Sequence, residues 1–93
     1  MPSYPVRVVL RPRGRSLAWF VPQARRDAFE ACLAERTALQ VEWERDAIAI
    51  TGSLEGAARV SARQDLEVRV ERCVAVAEVG STIDLEPAYM IGG

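Results

Sequence analysis

Leu66-Glu67-Val68-Arg69-Val70-Glu71-Arg72-Cys73-Val74-Ala75-Val76 is the stretch on which the fold turns. Leu66, Val68 and Val70 alternate with Glu67, Arg69 and Glu71, and Val74 and Val76 keep the same parity. Apolar residues at every second position line one face of a pleated strand, so this alternation predicts a strand, either long or bent near Arg72-Cys73. Glu67 and Glu71 beside Arg69 then read as exposed cross-strand charge pairs, with no acid–base role.

Outward from there the same period recurs. Val6, Val8 and Leu10 alternate with Arg7, Val9 and Arg11, and Pro12 to Ser16 reads as a turn into a second strand from Leu17 to Val21, an N-terminal hairpin. Leu39, Val41 and Trp43 alternate with Gln40, Glu42 and Glu44; Ile48 and Ile50 resume beyond Arg45-Asp46, and Thr51-Gly52-Ser53 ends that hairpin. Ile83 and Leu85 form a last strand closed by Pro87. Helical signals are fewer. Pro22 suits a first turn, and Gln23 to about Thr37 carries Ala24, Ala28, Phe29, Cys32 and Leu33 on one broad apolar face. Leu54 to Gln64 is a candidate short helix that Gly56 weakens by roughly 1 kcal/mol relative to Ala. The reading is α+β: a mixed sheet with one main helix packed on one face.

Composition limits the chemistry. The 93 residues suit one domain; 49% are apolar and 27% charged, the balance of a folded chain. The 12 basic residues, all Arg, meet 13 acidic ones, and a net charge of −1 gives no global field to draw nucleic acid or an acidic membrane. His, Lys and Asn are absent. Without His there is no Ser-His-Asp or Cys-His nucleophile, and without Lys no Schiff base and no lysine-bearing phosphate loop. The chain is therefore expected to be no enzyme and to need no cofactor. Cys32 and Cys73 form no Cys-x-x-Cys unit and sit among apolar neighbours, which favours buried thiols and leaves a disulfide open. No run approaches the ~20 apolar residues of a membrane span and no signal segment opens the chain, so the expected location is the cytoplasm.

After Leu85 the alternation stops, and Glu86-Pro87-Ala88-Tyr89-Met90-Ile91-Gly92-Gly93 reads as a domain over 1–87 followed by a flexible tail over 88–93. The segment Gly80-Ser81-Thr82-Ile83-Asp84-Leu85-Glu86-Pro87-Ala88 followed by Gly92-Gly93 resembles the C-terminal end of the ubiquitin-like β-grasp sulfur carriers and bacterial ubiquitin-like modifiers. The hairpin-then-helix opening is similar to theirs. The resemblance implies a β-grasp fold and activation of Gly93 by a ubiquitin-activating-type adenylating enzyme using ATP and magnesium. Gly93 then becomes a thiocarboxylate or thioester, for sulfur transfer or for an isopeptide bond to a target protein. A conjugating enzyme or protease would be a further partner. Gly92 gives clearance in a narrow channel, and Tyr89, Met90 and Ile91 seat the tail on its partner.

Other features carry quieter readings. Arg11, Arg13 and Arg15 around Gly14 suit a solvated turn better than a phosphate site, having no aromatic platform among them. Trp19, Phe20 and Trp43 are core candidates, although alternation exposes one of the Trp19-Phe20 pair. Glu42, Glu44 and Asp46 follow no cation-binding loop spacing. The competing function is a non-catalytic protein-interaction module, an adaptor or immunity-type protein, working through an exposed sheet face or edge.

Overall fold

The computed structural model describes residues 3–13, 21–34, 38–55, 58–79 and 85–92. Its elements are β1 (Ser3–Pro12), α1 (Gln23–Ala34), β2 (Ala38–Trp43), β3 (Ile48–Glu55), α2 (Arg59–Ala77) and β4 (Leu85–Ile91). The strands form one sheet in the order β2-β3-β1-β4, and every pairing is antiparallel. The class is α+β, as expected, but the sheet is not mixed and a second helix replaces an expected strand. This order is that of the split βαβ, ferredoxin-like arrangement. β1 gives one edge to β3 and the other to β4, with Val8 facing both Ile50 and Tyr89. The second strand of the expected N-terminal hairpin, Leu17 to Val21, lies outside the described residues except for Val21, which is in no strand.

α2 is the main correction. Leu66 to Val76 is helical because a second pattern overlies the alternation: Ala62, Leu66, Val70, Cys73, Val74 and Ala77 are buried at helical spacing. Val68 and Val76, which completed the period of two, are both 66% exposed on the outer surface of the helix. The helix starts at Arg59, later than the expected Leu54, because Leu54 and Glu55 belong to β3. It ends in a Schellman-type cap: Glu78 adopts a left-handed φ of 54°, its N–H bonding Ala75 O while Val79 N–H bonds Val74 O.

α1 follows the sequence closely. The Pro22 carbonyl accepts from the N–H groups of both Arg25 and Arg26, and Phe29 and Leu33 point into the core. Both helices cover the sheet face bearing Val6, Val8, Leu10, Ile48, Ile50, Leu54, Leu85 and Ile91, which form one apolar cluster with them. The opposite face carries the polar Arg7, Arg11, Thr51, Ser53 and Glu86 and the exposed Met90 around Val9 and Ala49, which are buried. Thr51-Gly52-Ser53 does not end a hairpin; β3 runs through it, with Gly52 at φ 153°, a value side-chain-bearing residues rarely take.

Cys32 and Cys73 form a disulfide joining α1 to α2, so neither is a free thiol. The bond closes 41 residues of chain, and restricting the unfolded chain by that loop contributes about 4 kcal/mol. Trp43 ties the edge of the sheet to α1. Its ring meets Phe29 edge to face at 5.7 Å, lies 5.1 Å from the Arg26 guanidinium carbon, and its Nε1–H donates to Glu30 Oε1 at 2.9 Å.

Candidate functional site

The residues expected to form a flexible tail lie in a strand. β4 pairs with β1 from Leu85 opposite Pro12 to Ile91 opposite Val6, and Gly92 N–H donates to Pro5 O at 2.8 Å. Ile91 is buried, Tyr89 half-buried and Met90 exposed. The boundary at Pro87 fails because proline is tolerated on an edge strand when its nitrogen faces away from the ladder. Gly92 has a packing reason to be glycine: an added Cβ would stand 2.8 Å from Pro5 Cγ. Gly93 lies outside the described residues.

Tyr89 sits where β4 meets α2. Its hydroxyl is buried without a hydrogen-bond partner among the described residues. Burial first, then the Glu71 and Glu67 carboxylates, push its phenol up to about 12, with Arg63 opposing them. Beside it Arg63 Nε–H donates to Glu67 Oε1 at 3.0 Å, and Arg59 Nη2 donates to the Ile91 carbonyl at 2.6 Å.

The two outer edges of the sheet differ in chemistry. Antiparallel partners alternate between pairs that exchange ladder bonds and pairs whose backbone groups point away. On β4 the Gly92–Pro5 bond fixes the phase, so Pro87, Tyr89 and Ile91 turn their backbone groups outward. Pro87 has no N–H to offer there, and Arg59 already occupies the Ile91 carbonyl. On β2 the Glu44 N–H to Ala47 O bond, 2.9 Å, fixes the phase instead. Leu39, Val41 and Trp43 therefore turn N–H and C=O outward, and among the described residues no backbone hydrogen bond reaches them. No proline or bulge interrupts β2 between Ala38 and Trp43. One edge is blunted and the other is open.

Of the remaining sequence candidates, Glu42 is exposed on the sheet face away from the helices, while Glu44 and Asp46 lie at the turn into β3. Among the described residues no three His, Cys, Asp or Glu side chains group to hold a metal ion. Arg11 faces Glu86 across the sheet, Trp43 is half-buried, and Arg15, Trp19 and Phe20 lie outside the described residues. No helix of the described residues is long and apolar enough to cross a membrane. The open edge of β2 was beyond sequence reasoning, because the outward residues follow from pairing phase; only the absence of Pro and Gly from Ala38 to Trp43 hinted at it.

Among the described residues, the fold is α+β, with two helices lying on one face of a four-stranded antiparallel sheet. The chain matches no protein-family model, no curated protein and no solved structure.

Proposed function

We propose that this chain is a non-catalytic adaptor that pairs with a second copy of itself along β2. The unpaired backbone of Leu39, Val41 and Trp43 carries the reading. A strand with a row of free N–H and C=O groups is a template for another strand, and most symmetric pairs form about a two-fold axis. Centred on Val41, a two-fold sets Leu39 against the partner's Trp43 and Gln40 against the partner's Glu42, both favourable cross-strand pairs. A shift that centres on Glu42 sets two carboxylates face to face, which disfavours it. The joined sheets would form one continuous sheet of eight strands.

Sedimentation of the purified protein tests this. A concentration-dependent dimer is expected, and Val41→Pro, which removes an outward N–H that the β2–β3 ladder does not use, yields a folded monomer. Dimers that persist unchanged in Val41→Pro, or a wild type that stays monomeric at millimolar concentration, contradict the reading.

The carrier reading rests on a different feature. β4 is an edge strand, and the Gly92 N–H to Pro5 and Arg59 to Ile91 bonds are the last holds before Gly93. Releasing them would free a short Gly-Gly segment for an adenylating enzyme; the all-antiparallel sheet is not the mixed one that the β-grasp resemblance implied, so this reading rests on the C-terminal residues alone. Mass spectrometry of the protein from its native cells separates the two. Oxygen-to-sulfur exchange at Gly93, or an isopeptide from Gly93 to another protein, supports the carrier; a free carboxylate under all growth conditions counts against it.

A further inference from the structure

We infer that the groove between α1 and α2 binds a compact oxyanion, the phosphate or carboxylate group of a small molecule, through Arg69 and Arg72. The groove has a volume of about 560 Å³, and Ala28 and Ala31 on α1 face Arg69, Arg72 and Val76 on α2 across it, with the Cys32–Cys73 disulfide in its wall. Arg69 and Arg72, three positions apart on a helix, project to the same side. The ion pairs among the described residues are Arg25 with Glu78 and Arg63 with Glu67, so neither groove arginine has a carboxylate partner there. Among the described residues, Arg69 Nη1 is buried and bonds no acceptor.

Arg69 Nη1 lies beneath the surface, so a ligand in the groove would meet the other N–H groups of Arg69, and the unmet N–H marks a guanidinium that acceptors among the described residues do not tie down. Arg matches oxyanions with two parallel N–H donors, and a second arginine beside it adds charge. The alanines keep the space open where longer side chains would fill it. The disulfide fixes the spacing of the two walls, so the site is formed before a ligand arrives. The apolar Val76 and the disulfide sulfurs suit an organic body attached to the anion.

Titration of the oxidised full chain with inorganic phosphate and, separately, with acetate, followed by NMR, tests the inference and identifies which oxyanion is preferred. Saturable shifts of the Ala28 and Ala31 amides and the Arg69 Nε–H are expected with at least one anion, at millimolar concentration. Arg69→Gln and Arg72→Gln each weaken binding at least tenfold, and Arg45→Gln, in the β2–β3 turn, leaves it unchanged. Arg72 is exposed, so Arg72→Gln keeps the test valid if Arg69→Gln perturbs the fold. Non-saturable shifts with both anions, or an equal loss in Arg45→Gln, overturn the inference.

Discussion

β2 and β4 bound the same sheet, yet they manage their exposed backbone in opposite ways. Each turns alternate N–H and C=O groups outward. On β4, Pro87 lacks a donor and Arg59 covers the Ile91 acceptor, so the outward row is interrupted on either side of Tyr89. On β2 nothing among the described residues does either, and the strand is braced from behind by Trp43 packed on Phe29 and bonded to Glu30. A rigid strand with free backbone groups presents them in fixed geometry, which lowers the ordering cost of pairing. Edge strands of similar burial can therefore have different fates, decided by one proline and one arginine.

The sharpest way to break this comparison is to put proline at neighbouring positions of β2. Gln40 points its backbone groups into the ladder opposite Thr51, so Gln40→Pro is expected to cost about 3 kcal/mol or more. Val41 points outward, and Val41→Pro is expected to cost about 1 kcal/mol or less while removing self-association. Urea denaturation of the two variants checks the phase assigned to β2; equal losses would mean the phase is wrong.

On β4, Gly92→Ala forces a Cβ against the Pro5 ring, and an overpacked contact of this kind costs about 1–3 kcal/mol. Thermal unfolding should show the loss, and faster amide exchange at Gly92 should place it at the end of the strand. Arg59→Met keeps the bulk of the side chain but uncovers the Ile91 carbonyl, an expected loss of about 1 kcal/mol, with faster exchange at the Gly92 and Met90 amides, the last ladder donors of β4.

The smallest effect appears only in alkali. The Tyr89 phenol is raised in the folded state to about 12 from an ordinary 10.0, so the folded chain holds its proton where the unfolded chain has lost it. That contribution is complete below pH 10 and is lost as pH rises to about 12. Tyr89→Phe should flatten the stability profile across that window and, by removing a buried hydroxyl that has no partner among the described residues, leave neutral-pH stability equal or higher.

Much of this architecture was legible in the sequence. The alternations at Val6–Leu10, Leu39–Trp43 and Ile48–Ile50 are strands, and the Gln23 helix begins where Pro22 predicts. The fold class followed, but the topology did not, because one segment satisfied two periods at once. Leu66 and Val70 fit a period of two and a period of 3.6 equally, and Val68 tipped the reading toward a strand although its side chain faces solvent. Ala62, Cys73 and Ala77, small and easily overlooked, carry the helical signal. The disulfide joins cysteines 41 residues apart, a pairing set by helix docking that local pattern does not contain. Pro87 was read as a stop because pairing phase, which makes it harmless on an edge, appears only when β1 is alongside.

Hydrogen exchange of the Val41 amide as a function of protein concentration tests the central claim most directly. That N–H points away from β3, so in dilute solution it should exchange at nearly the rate of an unstructured amide, as should Tyr89 on β4. Raising the concentration should slow Leu39, Val41 and Trp43 together while Tyr89 stays fast. A Val41 amide whose rate does not change with concentration, or a Tyr89 amide that slows in its place, would contradict the account.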